Sequence, residues 1–193
     1  MHPRQRRHPR TRRLRESHRN SVPITYTSKE QIEVYRFSIP VTILAPLLAL
    51  FLQAFLPLRM PWFGLLDLPL LMVIFFAVAR RNPVTGLLTG AAIGLLQDSL
   101  THQPLGLYGI ANTVVGYGAS SLGVKLDVEN AGSRFLVTIF FFALHEVVYF
   151  SVARGMVRLN LHWNLAHEIG SAVVNAFVAV LLFHLMDRFK QRT

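Results

Sequence analysis

The chain has 193 residues, of which 52% are hydrophobic and only 16% are charged. Its formal net charge is +10, and half of its twenty Lys and Arg residues lie within the first 36 positions. The remainder is strongly apolar with little net charge, a composition that excludes an ordinary soluble fold. There is no cysteine, which excludes disulfides, thiolate catalysis and thiolate metal sites.

The N-terminal segment is polar and basic over residues 1–21, so we predict that it is disordered. The spacing of Thr27 and Glu30 is that of a helix-capping box, which predicts a short amphipathic helix leading to the membrane. Residues 1–36 are therefore predicted to form a basic cytoplasmic tail. The tail either contacts anionic lipids of the inner leaflet, contacts a cytoplasmic partner, or serves as a solvated tether.

Six apolar runs follow, each near the roughly 20 residues that a helix needs to cross the hydrocarbon core. Proline or glycine breaks separate most of them. We predict an all-α membrane domain over residues 37–190, a bundle of about six transmembrane helices. The runs are Phe37–Leu58, Trp62–Ala79, Val84–Leu100, Leu105–Gly123, Phe135–Ala153 and Leu165–Met186.

Polar side chains inside these runs are costly in a bilayer and usually face protein or water. We predict structural or partner-contact roles for Asp67, Asp98, Asn112, His145, Glu146 and Asn175, with Gln53, Gln97 and His184 as further candidates. Asp67 and Asp98 fall near the predicted outer ends of their runs. His145 and Glu146 fall near the middle of the fifth run, but adjacent residues point about 100° apart on a helix and need not share a site.

A stripe of small residues marks the third run, because Gly86, Gly90 and Gly94 recur on one helix face. Such a stripe permits close approach of a second helix, and we predict that it packs within the bundle against the fourth run. Asp98 continues the same face. Its carboxylate is expected to accept hydrogen bonds from backbone N–H groups of the following turn or of the next helix start.

Catalytic signatures are absent from the sequence. His145-Glu146 lacks the second histidine of a zinc-protease helix, because Tyr149 stands at that position. No nucleophile elbow and no phosphate-binding loop occur. We therefore expect no enzyme activity, no metal and no cofactor.

A family resemblance lies in residues 65–107. The stretch contains, in order, Asp67 before an apolar run, the basic pair Arg80-Arg81, the stripe Gly86, Gly90 and Gly94, then Asp98, a short loop and Leu105-Gly106. This order resembles the rod shape-determining protein MreD family, as does Val173-Val174-Asn175 in the last run.

The resemblance implies a non-enzymatic membrane subunit of the bacterial cell-elongation complex, which builds peptidoglycan. Its implied partners are MreC and, through MreC, the MreB filament, RodA and the class B transpeptidase; membrane lipids contact it and no nucleic acid does. It also implies a fold resembling the substrate-binding subunits of energy-coupling-factor transporters.

Two other functions remain open. A small-molecule-binding subunit of a vitamin-type transporter would have the same helix count, and Asn112, His145, Glu146 and Asn175 would line its pocket. An intramembrane enzyme is the weakest of the three, because every signature sought is missing.

The membrane topology generates the first prediction. With the tail inside, alternating loops place seventeen Lys and Arg residues in the cytoplasm and three, Arg59, Arg154 and Arg158, outside. We expect an inner-membrane protein with both termini cytoplasmic. A reporter fused after Thr193 should give a cytoplasmic signal, and one in the Pro104 loop an external signal. A cytoplasmic signal from the Pro104 loop would refute the topology.

Overall fold

The computed structural model describes residues 36–37, 39–123, 130–159 and 164–191. The predicted capping box at Thr27 and Glu30 and the basic segment before it lie outside this range. The described chain forms six α-helices, one in each predicted run; the start of the second helix differs from the predicted one by six residues, and every other end differs by at most four. They are α1 (Ile39–Arg59), α2 (Leu68–Arg80), α3 (Pro83–Leu100), α4 (Leu107–Gly123), α5 (Ala131–Gly155) and α6 (Leu165–Asp187).

The second apolar run is not one continuous helix. It begins as a 3₁₀ turn at Pro61–Leu65, becomes extended at Leu66, and re-enters helix at Leu68. The side chain of Asp67 accepts a hydrogen bond from the backbone N–H of Leu70, at 3.0 Å, and so caps α2. This break leaves backbone groups that α2 itself does not satisfy.

Four stretches of the described chain are long and apolar enough to cross a membrane: Pro40–Arg59, Pro61–Arg80, Ala131–Gly155 and Leu165–Asp187. The chain is therefore an α-helical membrane protein. By length and composition, α3 and α4 do not qualify, with 18 and 17 residues and many small or polar side chains. Those side chains suit contact with protein rather than with lipid.

Helix α2 forms the centre of the bundle. Every residue from 69 to 79 is buried, and α2 contacts all five other helices. A helix that is apolar on all sides is expected in such a position. By contrast, α1 leaves Leu44 and Leu58 more than 60% exposed, on a surface suited to lipid.

The closest helix contact joins α3 and α4. A Cβ atom added to Gly90 would lie 2.1 Å from the backbone oxygen of Asn112, and one added to Gly86 would lie 2.3 Å from that of Gly116. Gly94 faces α4 at a similar distance. The glycine stripe therefore brings the two backbones into direct contact and leaves no room for any side chain.

The two ends of the described domain meet. Strand β1 (Arg36–Phe37) pairs antiparallel with strand β2 (Lys190–Gln191), so that the residue before α1 lies beside the segment after α6. At the same end of the bundle, an ion pair between Arg134 and Asp187 joins the start of α5 to the end of α6.

The glycine contact yields a stability prediction. Gly90→Ala should lower the free energy of unfolding by about 1–3 kcal/mol, because the new methyl group must push two backbones apart. Gly170→Ala is the matched control: it also lies in a membrane helix, but its Cβ would meet nothing within 4 Å. Thermal unfolding in detergent measures both, and equal melting temperatures for the two variants would count against the packing.

Candidate functional site

A buried polar network surrounds the break before α2. Gln53 on α1 donates its amide to the carbonyl of Leu66, at 2.8 Å, and accepts the N–H of Leu68, at 3.2 Å. Two backbone groups that the break exposes are thereby satisfied by one side chain. In a bilayer an unsatisfied backbone group costs several kcal/mol, so this contact fixes α1 to the break.

Asn175 performs the same function from α6. Its Oδ1 accepts the backbone N–H of Asp67, at 2.8 Å, and its Nδ2 donates to the carbonyl oxygens of Leu65, at 2.7 Å, and Ser171, at 2.9 Å. The side chain is completely buried. Asn175 therefore joins the last helix to a segment more than 100 residues earlier in the chain.

The network continues from α2 into α3 and α4. Asp67 Oδ1 accepts from Gln97 Nε2, at 3.2 Å, and Gln97 Oε1 accepts from Asn112 Nδ2, at 3.1 Å. All three side chains are buried. One carboxylate and two amides thus connect three helices, while the same carboxylate caps α2.

Asp98 holds the connection between α3 and α4. Its Oδ2 accepts the N–H groups of Gly106 and Gly109, at 2.8 and 3.1 Å, and its Oδ1 accepts that of Tyr108, at 2.9 Å. These are the backbone donors that the sequence indicated, in the turn and at the helix start. The carboxylate is fully buried, and its charge is matched by three N–H groups at the N-terminus of α4.

His145 and Glu146 face different surroundings. The His145 ring is buried and stacks near Tyr108 and Tyr149, with ring centroids 5.8 and 6.1 Å away. The Glu146 carboxylate remains partly exposed and lines a groove between α5 and α6. The two side chains still touch, since His145 Nδ1 lies 3.3 Å from Glu146 Oε1.

Tyr108 and Tyr149 were not among the sequence candidates. A sequence signal exists for both: Tyr108 lies one helical turn before Asn112, and Tyr149 lies one turn after His145. Tyrosine near a membrane surface is common enough, however, that this spacing alone does not single out either residue.

Buried side-chain atoms without a hydrogen-bond partner among the described residues include Asn112 Oδ1 and His145 Nε2, and also the hydroxyl oxygens of Ser120 and Ser171. The described residues also contain no group of three His, Asp or Glu side chains that could hold a metal ion. What these polar side chains do in the structure is form hydrogen bonds between helices. Asp67, Asp98, Gln97 and Asn175 each satisfy backbone or side-chain groups of a neighbouring element.

These features define a multi-helix membrane protein in which buried polar side chains join the helices to one another. The family model of the rod shape-determining protein MreD matches residues 33–193, and the chain belongs to that family. The resemblance found in the sequence is thereby confirmed, and the protein is a rod shape-determining membrane protein by family. No curated protein and no solved structure matches the chain, so the resemblance to energy-coupling-factor subunits stays a prediction.

The contacts of Asp98 predict a graded response to substitution. Asp98→Asn keeps an oxygen for some of the three N–H donors and should cost about 1–3 kcal/mol of stability. Asp98→Leu leaves all three donors unsatisfied and should abolish accumulation of folded protein. The measurement is the yield of monodisperse protein in detergent. If a well-folded Asp98→Asn protein fails completely to restore cell shape, Asp98 has a role beyond structure.

Proposed function

We propose that the chain is a non-enzymatic subunit of the bacterial cell-elongation complex that binds MreC within the inner membrane. Family membership supports the role in rod shape. Through MreC the chain would reach the MreB filament, RodA and the class B transpeptidase. The proposal places both termini in the cytoplasm and has α3 and α4 also cross the membrane, giving six spans.

The six-span arrangement is supported by two independent observations. The pairing of β1 with β2 favours an even number of crossings, because both ends of the domain then lie on one side. The distribution of Lys and Arg favours the cytoplasm as that side. Since α3 and α4 pack side by side, their polar faces are shielded by each other and by α2.

The non-enzymatic role is supported by one observation: the buried polar side chains are engaged in hydrogen bonds that hold the helices together. The Asp98 carboxylate is occupied by three backbone donors, and Asn175 makes three hydrogen bonds to backbone atoms. Asp67 caps α2 and binds Gln97. Groups held in this way fix a rigid bundle, and a rigid bundle presents a defined surface to a partner's membrane helix.

A second function, binding of a small polar molecule, is favoured by one observation. Asn112 Oδ1 and His145 Nε2 are buried and lack partners among the described residues. Buried polar atoms normally find a partner, and a guest that offers hydrogen bonds to both would satisfy them. The predicted vitamin-type binder would use these two residues.

Depletion of the protein in its host separates the two functions. We expect cells that lose rod shape and swell, and MreC that co-purifies with the wild-type chain in mild detergent. Re-expression of wild type or of Gly170→Ala should restore both. Cells of normal shape that require a nutrient, together with a small ligand in the purified protein and no MreC, would establish the binder instead.

A further inference from the structure

A groove of about 340 Å³ runs between α5 and α6. The side chains of the polar network, such as Asp67, Gln97 and Asn175, do not line it. Its walls are apolar, and Val147 and Ile169 in them are more than half exposed. Of the described residues that line it, two are polar, and both are acids: Glu146 and Glu168. No lysine or arginine belongs to this described lining.

Both glutamates belong to stretches that are long and apolar enough to cross a membrane. Glu168 is one turn from the start of α6 at Leu165, whereas Glu146 lies nine residues before the end of α5 at Gly155, or about 13 Å along the helix. Their side chains are 17% and 18% exposed, and each contacts the histidine that precedes it. Both side chains line this same groove.

Negative charge at this depth calls for a cation, because ionisable groups in a bilayer usually pair. A metal ion does not fit, since no group of three potential ligands occurs among the described residues. A lysine or arginine reaches this depth when a membrane helix carries it, and its aliphatic stem suits the apolar walls.

The shape of the groove also suits a helix. The α5 residues that line it recur at intervals of three and four, at positions 139, 142, 143, 146 and 147. The α6 residues do the same, at positions 165, 168, 169, 172 and 173. Two such rows form the seam into which a third helix packs its ridge of side chains.

We propose that this groove receives a transmembrane helix of a partner protein, which presents a lysine or arginine to Glu146 and Glu168. The inference rests on the proposed function for the identity of that partner, MreC. The helix fills the apolar seam, and its cation offsets the negative charge of the two carboxylates that line it. Charge complementarity at the base of an apolar groove then selects this helix over lipid and over an uncharged helix.

Crosslinking tests the location, because the chain has no native cysteine and single-cysteine variants are specific. Ile169→Cys lies in the groove, and Leu181→Cys is the control, 72% exposed on the same helix but outside the lining. With MreC co-expressed, a membrane-soluble crosslinker should join MreC to the Ile169→Cys protein and leave the Leu181→Cys protein unjoined. Equal yields at both positions, or a yield only at Leu181→Cys, would overturn the location.

Substitutions test the shape and the charge. Ala143→Phe places a ring in the groove, whereas Ala166→Phe places one at an exposed α6 position outside the lining, so only the first should abolish the crosslink. The double variant Glu146→Gln with Glu168→Gln keeps side-chain size and should lower the yield about tenfold. An unchanged yield in the double variant would refute the charge pairing.

A probe without MreC separates the groove from the proposed function. Proteoliposomes are loaded with a polyleucine membrane peptide that carries one arginine, or with the same peptide carrying glutamine. The Ile169→Cys protein should capture the arginine peptide about tenfold better, and the double glutamine variant should remove this preference. If the arginine and glutamine peptides are captured equally while MreC still co-purifies, the groove proposal is refuted and the proposed function is not. If the arginine peptide is preferred but the purified protein contains no MreC, MreC is refuted as the partner and the groove proposal is not.

Discussion

The break before α2 leaves backbone N–H and C=O groups without partners inside α2, and side chains from other helices of the bundle satisfy them. Inside a bilayer no water is at hand for backbone groups that leave a helix, so protein must satisfy them. Gln53 from α1 and Asn175 from α6 bind the exposed groups, and Asp67 closes the new helix start while holding Gln97 of α3. Helices that are distant in sequence are thereby fixed around one point, and α2 can occupy the centre with an apolar surface on every side.

A second contact holds α3 against α4. It depends on glycines, whose lack of a side chain lets the two backbones touch. At Gly90 the backbones touch, and at the end where the loop joins the two helices Asp98 accepts N–H groups of Gly106 and of the first turn of α4. Neither helix is apolar enough to qualify as a span by itself, but the pair hides its polar faces in mutual contact and against α2. Close packing of α3 on α4 thus makes up for the low apolarity of each helix. This is expected in a membrane, where helices associate through packing and hydrogen bonds because lipid provides no hydrophobic driving force.

Much of this architecture could be predicted from sequence because its signals are local. Apolar length defines the helices, and the four-residue spacing of glycines defines a contact face. Asp98 lies on that same face, one turn beyond Gly94 and beside a turn that needs a hydrogen-bond acceptor. The 3₁₀ break could not be predicted, since its partners Gln53 and Asn175 are 13 to 110 residues away in sequence. The division between buried His145 and groove-lining Glu146 depends on the rotation of α5, which only its neighbours determine.

The pairing of β1 with β2 brings the two ends of the described domain side by side. Because Arg36 lies opposite Gln191, a short linker would join the two ends, and new ends could be opened in a loop between helices without disturbing the bundle. Because of this pairing, any segment attached before α1 and any segment attached after α6 start from the same place on the bundle. A factor captured by either extension is then held at high local concentration near the other.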